Sequence, residues 1–169
     1  NQFELQINSL GCNKCRCEYR ETLKKSIKDY LADLCENCNK RYQKNPLRVL
    51  DCKVERDIEI ASGLPKITDH ICNECKCHFE KVQTLLHATQ IPYNINPSLV
   101  RGLDYYTLTA FEVTSRDLGA QNAISGGGRY NTLVEEFEGP PTPCFGFALG
   151  LERLISLVPF DKMESIETN

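Results

Sequence analysis

The sequence predicts an α+β fold in which an antiparallel sheet is interrupted by a long, mostly helical block. Three observations carry this. Residues 2–8 and 99–114 alternate apolar and polar side chains as strands do. Between them, apolar residues recur at helical spacing and form the stripes of amphipathic helices. Near the end, residues 145–155 read as a strand that runs through Gly150 into a helix.

The bulk properties narrow the class. A chain of 169 residues is about one domain and can bury its own core. No apolar run approaches the roughly 18 residues of a membrane helix, and the polar opening NQFELQINS is unlike a signal peptide. A net charge of −3 argues against a protein that coats nucleic acid indiscriminately. Charge is uneven, though: 12 Lys and Arg stand against 7 Asp and Glu from Lys14 to Arg56. That excess is either a phosphate-facing surface or a solvated helical face.

In order along the chain, Phe3, Leu5 and Ile7 oppose Gln2, Glu4, Gln6 and Asn8, a half-buried strand ended by Ser9-Leu10-Gly11. From Glu18 the period changes. Tyr19, Leu23, Ile27, Tyr30, Leu31 and Leu34 form a helical stripe, with Lys24, Lys25 and Lys28 off it in water. A shorter helix is expected over 36–43, broken at Asn45-Pro46 because a residue before proline is pushed out of helical geometry. Leu47, Val49 and Leu50 then make an apolar patch, and Ser62-Gly63-Leu64-Pro65 a loop. Residues 69–88 are helical again, with Ile71, Cys75, Phe79, Val82, Leu85 and Leu86 in phase. The expected divisions are 1–9 for the first sheet strand, 10–88 for the helical insertion, 89–160 for the remaining sheet and 161–169 for a linker stub.

Ten cysteines are many for this length, and nine lie between Cys12 and Cys77. Their CxxC grouping and the enzyme-like second half favour reduced thiols and metal binding in the cytoplasm over a secreted disulfide framework. Two clusters are near copies: Cys12-Asn-Lys-Cys15-Arg-Cys17 and Cys72-Asn-Glu-Cys75-Lys-Cys77. Each sits at or near the start of a predicted helix, whose N-terminus would help by lowering thiol pKa values. One CxxC turn aims two thiolates at a tetrahedral ion, and two turns complete a structural zinc shell with bonds of about 2.3 Å. Cys12, Cys15, Cys72 and Cys75 are therefore the expected ligands. Cys35-Glu-Asn-Cys38 is the alternate pair, and Cys52 a further donor. The bland alternative is ordinary buried thiols. His70, His78 and His87 read as surface or packing residues.

The second half carries the chemistry. After Ile91-Pro92 come a short extended piece at 93–95 and an Asn96-Pro97 turn. In LVRGLDYYTLTAFEVT, residues 99–114, Thr107, Thr109, Phe111 and Val113 alternate with Tyr106, Leu108, Ala110 and Glu112. The opening of that strand is expected to carry a tyrosine on each face. Arg101 has a planar, permanently charged fork, and Gly102 admits close approach. A positioned arginine can stabilise a phosphate in flight. Gly126-Gly127-Gly128-Arg129-Tyr130 leaves backbone uncovered, suited to a tight turn or a close substrate, but lacks the spacing and lysine of a Walker loop. In residues 145–155, Gly146 and Gly150 permit a close crossing. Arg153 is an odd structural choice beside the stripe Leu151, Leu154, Ile155 and Val158.

Taken in order, RGLDYY, SGGGRYNTLVEE and CFGFALGLERLISLV resemble the histidine-specific signatures and the third class-defining motif of histidyl-tRNA synthetases, which are class II enzymes. The resemblance implies part of the class II antiparallel sheet with a helical insertion domain, of which NPLRVLDCK at 45–53 looks typical. It implies that Arg101 contacts the α-phosphate as the adenylate forms. Arg101, Tyr105, Tyr106, Gly127, Gly128 and Tyr130 would line the histidine site. Arg153, with Gly150 before it, would lie over adenine and reach the γ-phosphate of ATP. Asn131 stands where the family usually has Asp and receives no role. The implied substrates are histidine, ATP with Mg and tRNA(His), whose acceptor stem the insertion would clasp, in a homodimeric parent without a membrane. The first two class II motifs are not found, so the chain is expected to be an internal piece, inactive alone. Two other readings stand beside this one. The regulatory subunit of ATP phosphoribosyltransferase shares the fold, and a free-standing zinc-containing acceptor-stem clamp would bind tRNA in a salt-dependent way.

Overall fold

The computed structural model describes residues 3–100, 102, 105–119 and 122–159. Its sheet has the strand order β2-β1-β3-β4-β5, with β1 at Phe3–Gly11, β2 at Tyr93–Ile95, β3 at Thr107–Ser115, β4 at Ala123–Arg129 and β5 at Phe145–Leu149. All neighbours are antiparallel except β1 and β2, which pair in parallel with Leu5 opposite Tyr93 and Ile7 opposite Ile95. A parallel pair cannot be joined by a hairpin and needs a long crossover. The helical block is that crossover. It contains α1 (Asn13–Lys28), α2 (Glu36–Lys44), α3 (Glu55–Ser62) and α4 (Asn73–Ala88), with 3-10 turns at Pro46–Asp51 and Ile67–Asp69. The α+β class and the mostly antiparallel sheet are as the sequence predicts.

The block folds around α1, whose Tyr19, Leu23 and Ile27 are fully buried. They pack with Leu34, Leu47, Val49 and Ile67. The Tyr19 hydroxyl donates a 2.6 Å hydrogen bond to the Pro65 carbonyl, which satisfies a buried phenol. The helix begins at Asn13 rather than Glu18, because Cys12 is extended and caps it. It also ends at Lys28, so Tyr30 is exposed and Leu34 enters the core from the following turn. The helix α3 was not expected. Its sequence ERDIEIAS is too short and too charged to show a stripe. At the other end, α4 starts at Asn73, with residues 67–69 forming a separate 3-10 turn. Its first half buries Cys75 and Phe79, whereas Leu85 is exposed.

The sheet departs from simple alternation at two places in β3, one between Val113 and Thr114 against β4 and the other at Leu108. Leu108 has a positive φ of 54°, and the register of β3 slips there against both β1 and β4. Such a bulge re-aims the side chains around it, and Thr107, Thr109 and Ala110 are all buried. The strand starts only at Thr107. Tyr105 and Tyr106 precede it and, instead of facing opposite ways, their ring centroids are 4.5 Å apart. The three glycines lie in the middle of β4, not in a turn, paired on one side with Glu112, Phe111 and Ala110 and on the other with Ala148, Phe147 and Gly146. The linker stub expected at 161–169 lies outside the described residues.

Candidate functional site

The glycines make room for rings. Successive strand residues face opposite sides of a sheet, so Gly127 and Gly128 look different ways. A Cβ on Gly128 would stand 2.5 Å from the Thr109 carbonyl oxygen and 3.0 Å from Tyr106 Cδ1, and one on Gly146 would stand 2.4 Å from the Tyr130 hydroxyl. On this face Tyr105, Tyr106 and Tyr130 form an aromatic wall, with Tyr130 edge-on to the others at centroid distances of 5.5 and 6.2 Å. Tyr106 is buried against Leu10 and Ala110, while Tyr105 and Tyr130 are half-buried. The Tyr105 and Tyr106 hydroxyls are 3.5 Å apart. Gly127 instead faces the opposite side, where its Cβ would meet Phe147 at 2.6 Å and where Phe111 stacks on Phe145.

Polar contacts fix the wall. The Arg16 guanidinium donates to the Tyr106 carbonyl, tying α1 to the turn before β3. Arg129 Nε donates 2.8 Å to Asn131 Oδ1, and the Asn131 N–H donates 3.1 Å to Thr107 Oγ1. Asn131, given no role from sequence, thus locks the chain leaving β4 onto the start of β3. His78 Nε2 lies 3.2 Å from Thr109 Oγ1 and joins α4 to the same strand. Burial, with the charges of Arg129 and Lys81, pushes the His78 pKa below its ordinary value.

The other expected nucleotide residues are grouped elsewhere. Gly150 precedes the short helix α5, Leu151–Ile155, and its N–H donates 2.8 Å to the Ile124 carbonyl. A Cβ there would come within 3.4 Å of Arg153 Cδ, so the glycine lets Arg153 fold back over the sheet. Arg153 Nη1 donates 2.6 Å to the Ala123 carbonyl, beside a groove of about 310 Å³ that Ser125, Gly126 and Leu149 also line. This groove lies toward the Ala123 end of β4 and the tyrosines toward its Arg129 end, along the same strand. Arg101 lies outside the described residues.

The cysteines form two separate groups. Cys12 and Cys72 cap α1 and α4, and within each CxxC turn the sulfurs are 3.5 Å apart. The turns are exchanged almost symmetrically: the Cys12 N–H donates to Cys75 Sγ at 3.2 Å and the Cys72 N–H to Cys15 Sγ at 3.0 Å. All four sulfurs lie within 4.8 Å of one another. A tetrahedron with bonds of about 2.3 Å has edges of roughly 3.8 Å. The Cys15 N–H holds the Cys12 thiol below its ordinary pKa, and the Cys75 N–H lowers Cys72 to about 7. Burial pushes Cys15 and Cys75 up. Gly11, at φ +66°, turns β1 into the cluster, where a Cβ would sit 2.8 Å from Cys15 Cβ. Cys17 and Cys77 are exposed, and His70 packs on Tyr19. The alternate pair Cys35 and Cys38 does not compete for this cluster. It stands in the core of the block with Cys52 and with Asp57, a residue the sequence reading missed.

Comparison with known proteins gives a consistent result. The family model described as histidyl-tRNA synthetase matches residues 18–154. The histidine–tRNA ligase of Desulforamulus reducens is 54% identical over 153 residues, covering 90% of this chain and 36% of the relative. That of Pelotomaculum thermopropionicum is 55% identical over 153 residues, with the same coverage of 90% and 36%. Among solved structures, apo S. aureus histidyl-tRNA synthetase superposes with a TM-score of 0.69 at 37% identity, over 100% of this chain and 40% of that one. The chain spans little more than a third of the length of the curated relatives it matches.

Proposed function

The chain belongs to the histidyl-tRNA synthetase family, and we propose that it supplies the tyrosine wall of the parent's histidine site and part of its ATP-binding surface. In the proposed reaction the histidine carboxylate attacks the α-phosphate of ATP and pyrophosphate leaves; a terminal ribose hydroxyl of tRNA(His) then attacks the histidyl carbonyl of the adenylate and AMP leaves. The observation that carries this reading is the meeting of two separate strings, RGLDYY and GGGRY, whose three tyrosines share one sheet face with ring centroids 4.5 to 6.2 Å apart. Imidazole is a flat ring with a donor and an acceptor nitrogen, and phenol hydroxyls can serve either. The half-buried Tyr105 and Tyr130 are the members placed to present their edges to it, while Tyr106 backs them.

On the same reading, Arg101 clamps the α-phosphate through its fork, as arginine does with phosphate oxygens. Arg153 stacks over adenine, and Mg²⁺ accompanies the ATP phosphates. The helical block approaches the acceptor stem, with Lys25 and Lys28 among its exposed cations, in a parent that acts as a dimer. Cys12, Cys15, Cys72 and Cys75 hold a structural zinc that staples the end of β1 to the start of α4. The test is amino-acid-dependent ATP–pyrophosphate exchange and tRNA(His) charging by the full-length parent. Exchange driven by histidine is expected; exchange that ignores histidine, or no charging, would overturn the reading and favour the regulatory-subunit alternative.

A further inference from the structure

We infer that Cys35, Cys38, Cys52 and Asp57 form a second metal site, a three-thiolate, one-carboxylate centre for a tetrahedral zinc-class dication inside the helical block. The four residues come from three elements. Cys35 caps α2, Cys38 lies one turn into it, Cys52 follows the 3-10 turn at Pro46–Asp51, and Asp57 is in the first turn of α3. Their ligand atoms all lie within 4.8 Å of one another. Cys35 Sγ and Cys52 Sγ are 3.9 Å apart, close to the roughly 3.8 Å edge of a zinc–thiolate tetrahedron.

The surroundings are those of a built site. The Cys35 N–H is shared between the Asp57 oxygens, 3.1 Å from Oδ1 and 3.4 Å from Oδ2, and Oδ2 also faces the thiols, 3.1 Å from Cys52 Sγ. Backbone donors also point at the sulfurs: the Cys38 N–H at Cys35, 3.4 Å, and the Val54 N–H at Cys52, 3.5 Å. Such outer contacts orient metal ligands. Cys38 and Asp57 are fully buried. Among the described residues no lysine, arginine or histidine pairs with Asp57. A buried carboxylate with no cation is costly, and a dication here removes that cost.

The ligand set selects the ion. Thiolates favour zinc over calcium or magnesium, which take oxygen ligands. A sulfur cage this tight suits one ion rather than an iron–sulfur cluster, whose thiolates bind different irons. Binding releases the three thiol protons to solvent and places a net charge of about −2 in the core. The N-termini of α2 and α3, both opening on the site, offset part of it. The structure also shows why an ion would be useful. Cys38 is the one buried residue of α2, and α3 buries only Asp57 and Ala61. Beyond Ala61 and the partly buried Tyr42 and Ile60, these helices have few apolar anchors, so a shared ion can pin α2, the 3-10 turn and α3 together. No ligand is shared with the Cys12 cluster, and the two sites stand or fall separately.

The experiment strips the reduced full chain with a chelator, reloads it with Co(II) or Zn(II), removes excess metal and counts ions per chain. Two ions are expected in the wild type. Cys35→Ser/Cys52→Ser should retain one, with a four-thiolate cobalt spectrum. Cys12→Ser/Cys72→Ser should retain one, with weaker thiolate-to-cobalt absorption because one ligand is oxygen. Asp57→Asn keeps the shape and should weaken that ion's binding by about tenfold or more. A single wild-type ion that survives Cys35→Ser/Cys52→Ser would overturn the inference and leave the Cys12 site standing. A single ion that survives Cys12→Ser/Cys72→Ser would support it and remove the other site. No bound ion would overturn both. A wild-type count of two or of none decides even if a variant fails to fold, and a count of one is assigned by its cobalt spectrum, four-thiolate for the Cys12 site and weaker for the Cys35 site.

Discussion

Replacing Gly128 by alanine tests the floor of the tyrosine wall. The new methyl would stand 2.5 Å from the Thr109 carbonyl oxygen, 3.0 Å from Ala110 Cα and 3.0 Å from Tyr106 Cδ1. Ordinary contact begins near 3.4 Å, so the backbones must part by about 0.9 Å. The strand β3 cannot simply retreat, because Ala110 is paired with Asn8 of β1 on its other side. Overpacking costs about 1–3 kcal/mol, and two rigid backbone neighbours place this case at about 2–3 kcal/mol. For a chain of this length each kcal/mol shifts Tm by roughly 2–4 °C, giving a fall of roughly 4–12 °C. Tyr106 is the neighbour able to move, and its tilt should raise the histidine KM of the full-length parent more than the ATP KM. Thermal unfolding by circular dichroism and exchange kinetics read the two effects. An unchanged Tm together with an unchanged histidine KM would refute the reasoning.

Three further outcomes follow from the structure. Gly63→Ala should stabilise by about 0.4–1 kcal/mol, since Gly63 has an ordinary φ of −87° and a Cβ would meet only the Ile60 carbonyl at 3.6 Å; a loss in denaturant unfolding would contradict this. Tyr19→Phe should cost about 1–2 kcal/mol by orphaning the Pro65 carbonyl, and a neutral result in the same measurement would show that water reaches it. His78 is harder to protonate in the folded chain because of burial and then of Arg129 and Lys81. The unfolded chain therefore takes up the proton first as pH falls through its ordinary value of 6.5, and stability drains away below that point. Urea unfolding at about pH 7.5 and about pH 5.5 should show a smaller acid loss for His78→Gln than for the wild type; an equal or larger loss would exclude this contribution.

Long-range order was legible wherever a period ran for several turns. The stripe through Tyr19, Leu23 and Ile27 marks a buried face, whereas the alternation of the first strand marks the element but not its faces, since Phe3 is exposed and Ile7 and Asn8 are both buried. Short elements were not. Eight residues of α3 offer too few apolar positions to show a face, and Asp57, which no pattern singled out, is fully buried. A signal did exist for it, since Cys35, Cys38 and Cys52 make a thiol trio lacking a fourth donor. The bulge at Leu108 was hidden because nothing in an alternating run announces a positive φ on leucine. It moves the strand start past Tyr105 and Tyr106 and so brings onto one side two rings that alternation would separate. The glycine run was visible as missing side chains, but what fills the space, Tyr106 over Gly128 and Tyr130 over Gly146, depends on pairing with strands far away in sequence.

The central claim is that the tyrosine wall faces histidine, and the histidine KM of a full-length parent carrying Tyr130→Phe tests it most directly. Loss of one hydroxyl hydrogen bond of about 1–1.4 kcal/mol predicts a rise of roughly five- to tenfold in the histidine KM of ATP–pyrophosphate exchange, with the ATP KM little changed. An unaltered histidine KM, or an equal rise for ATP, would place the wall outside the histidine site.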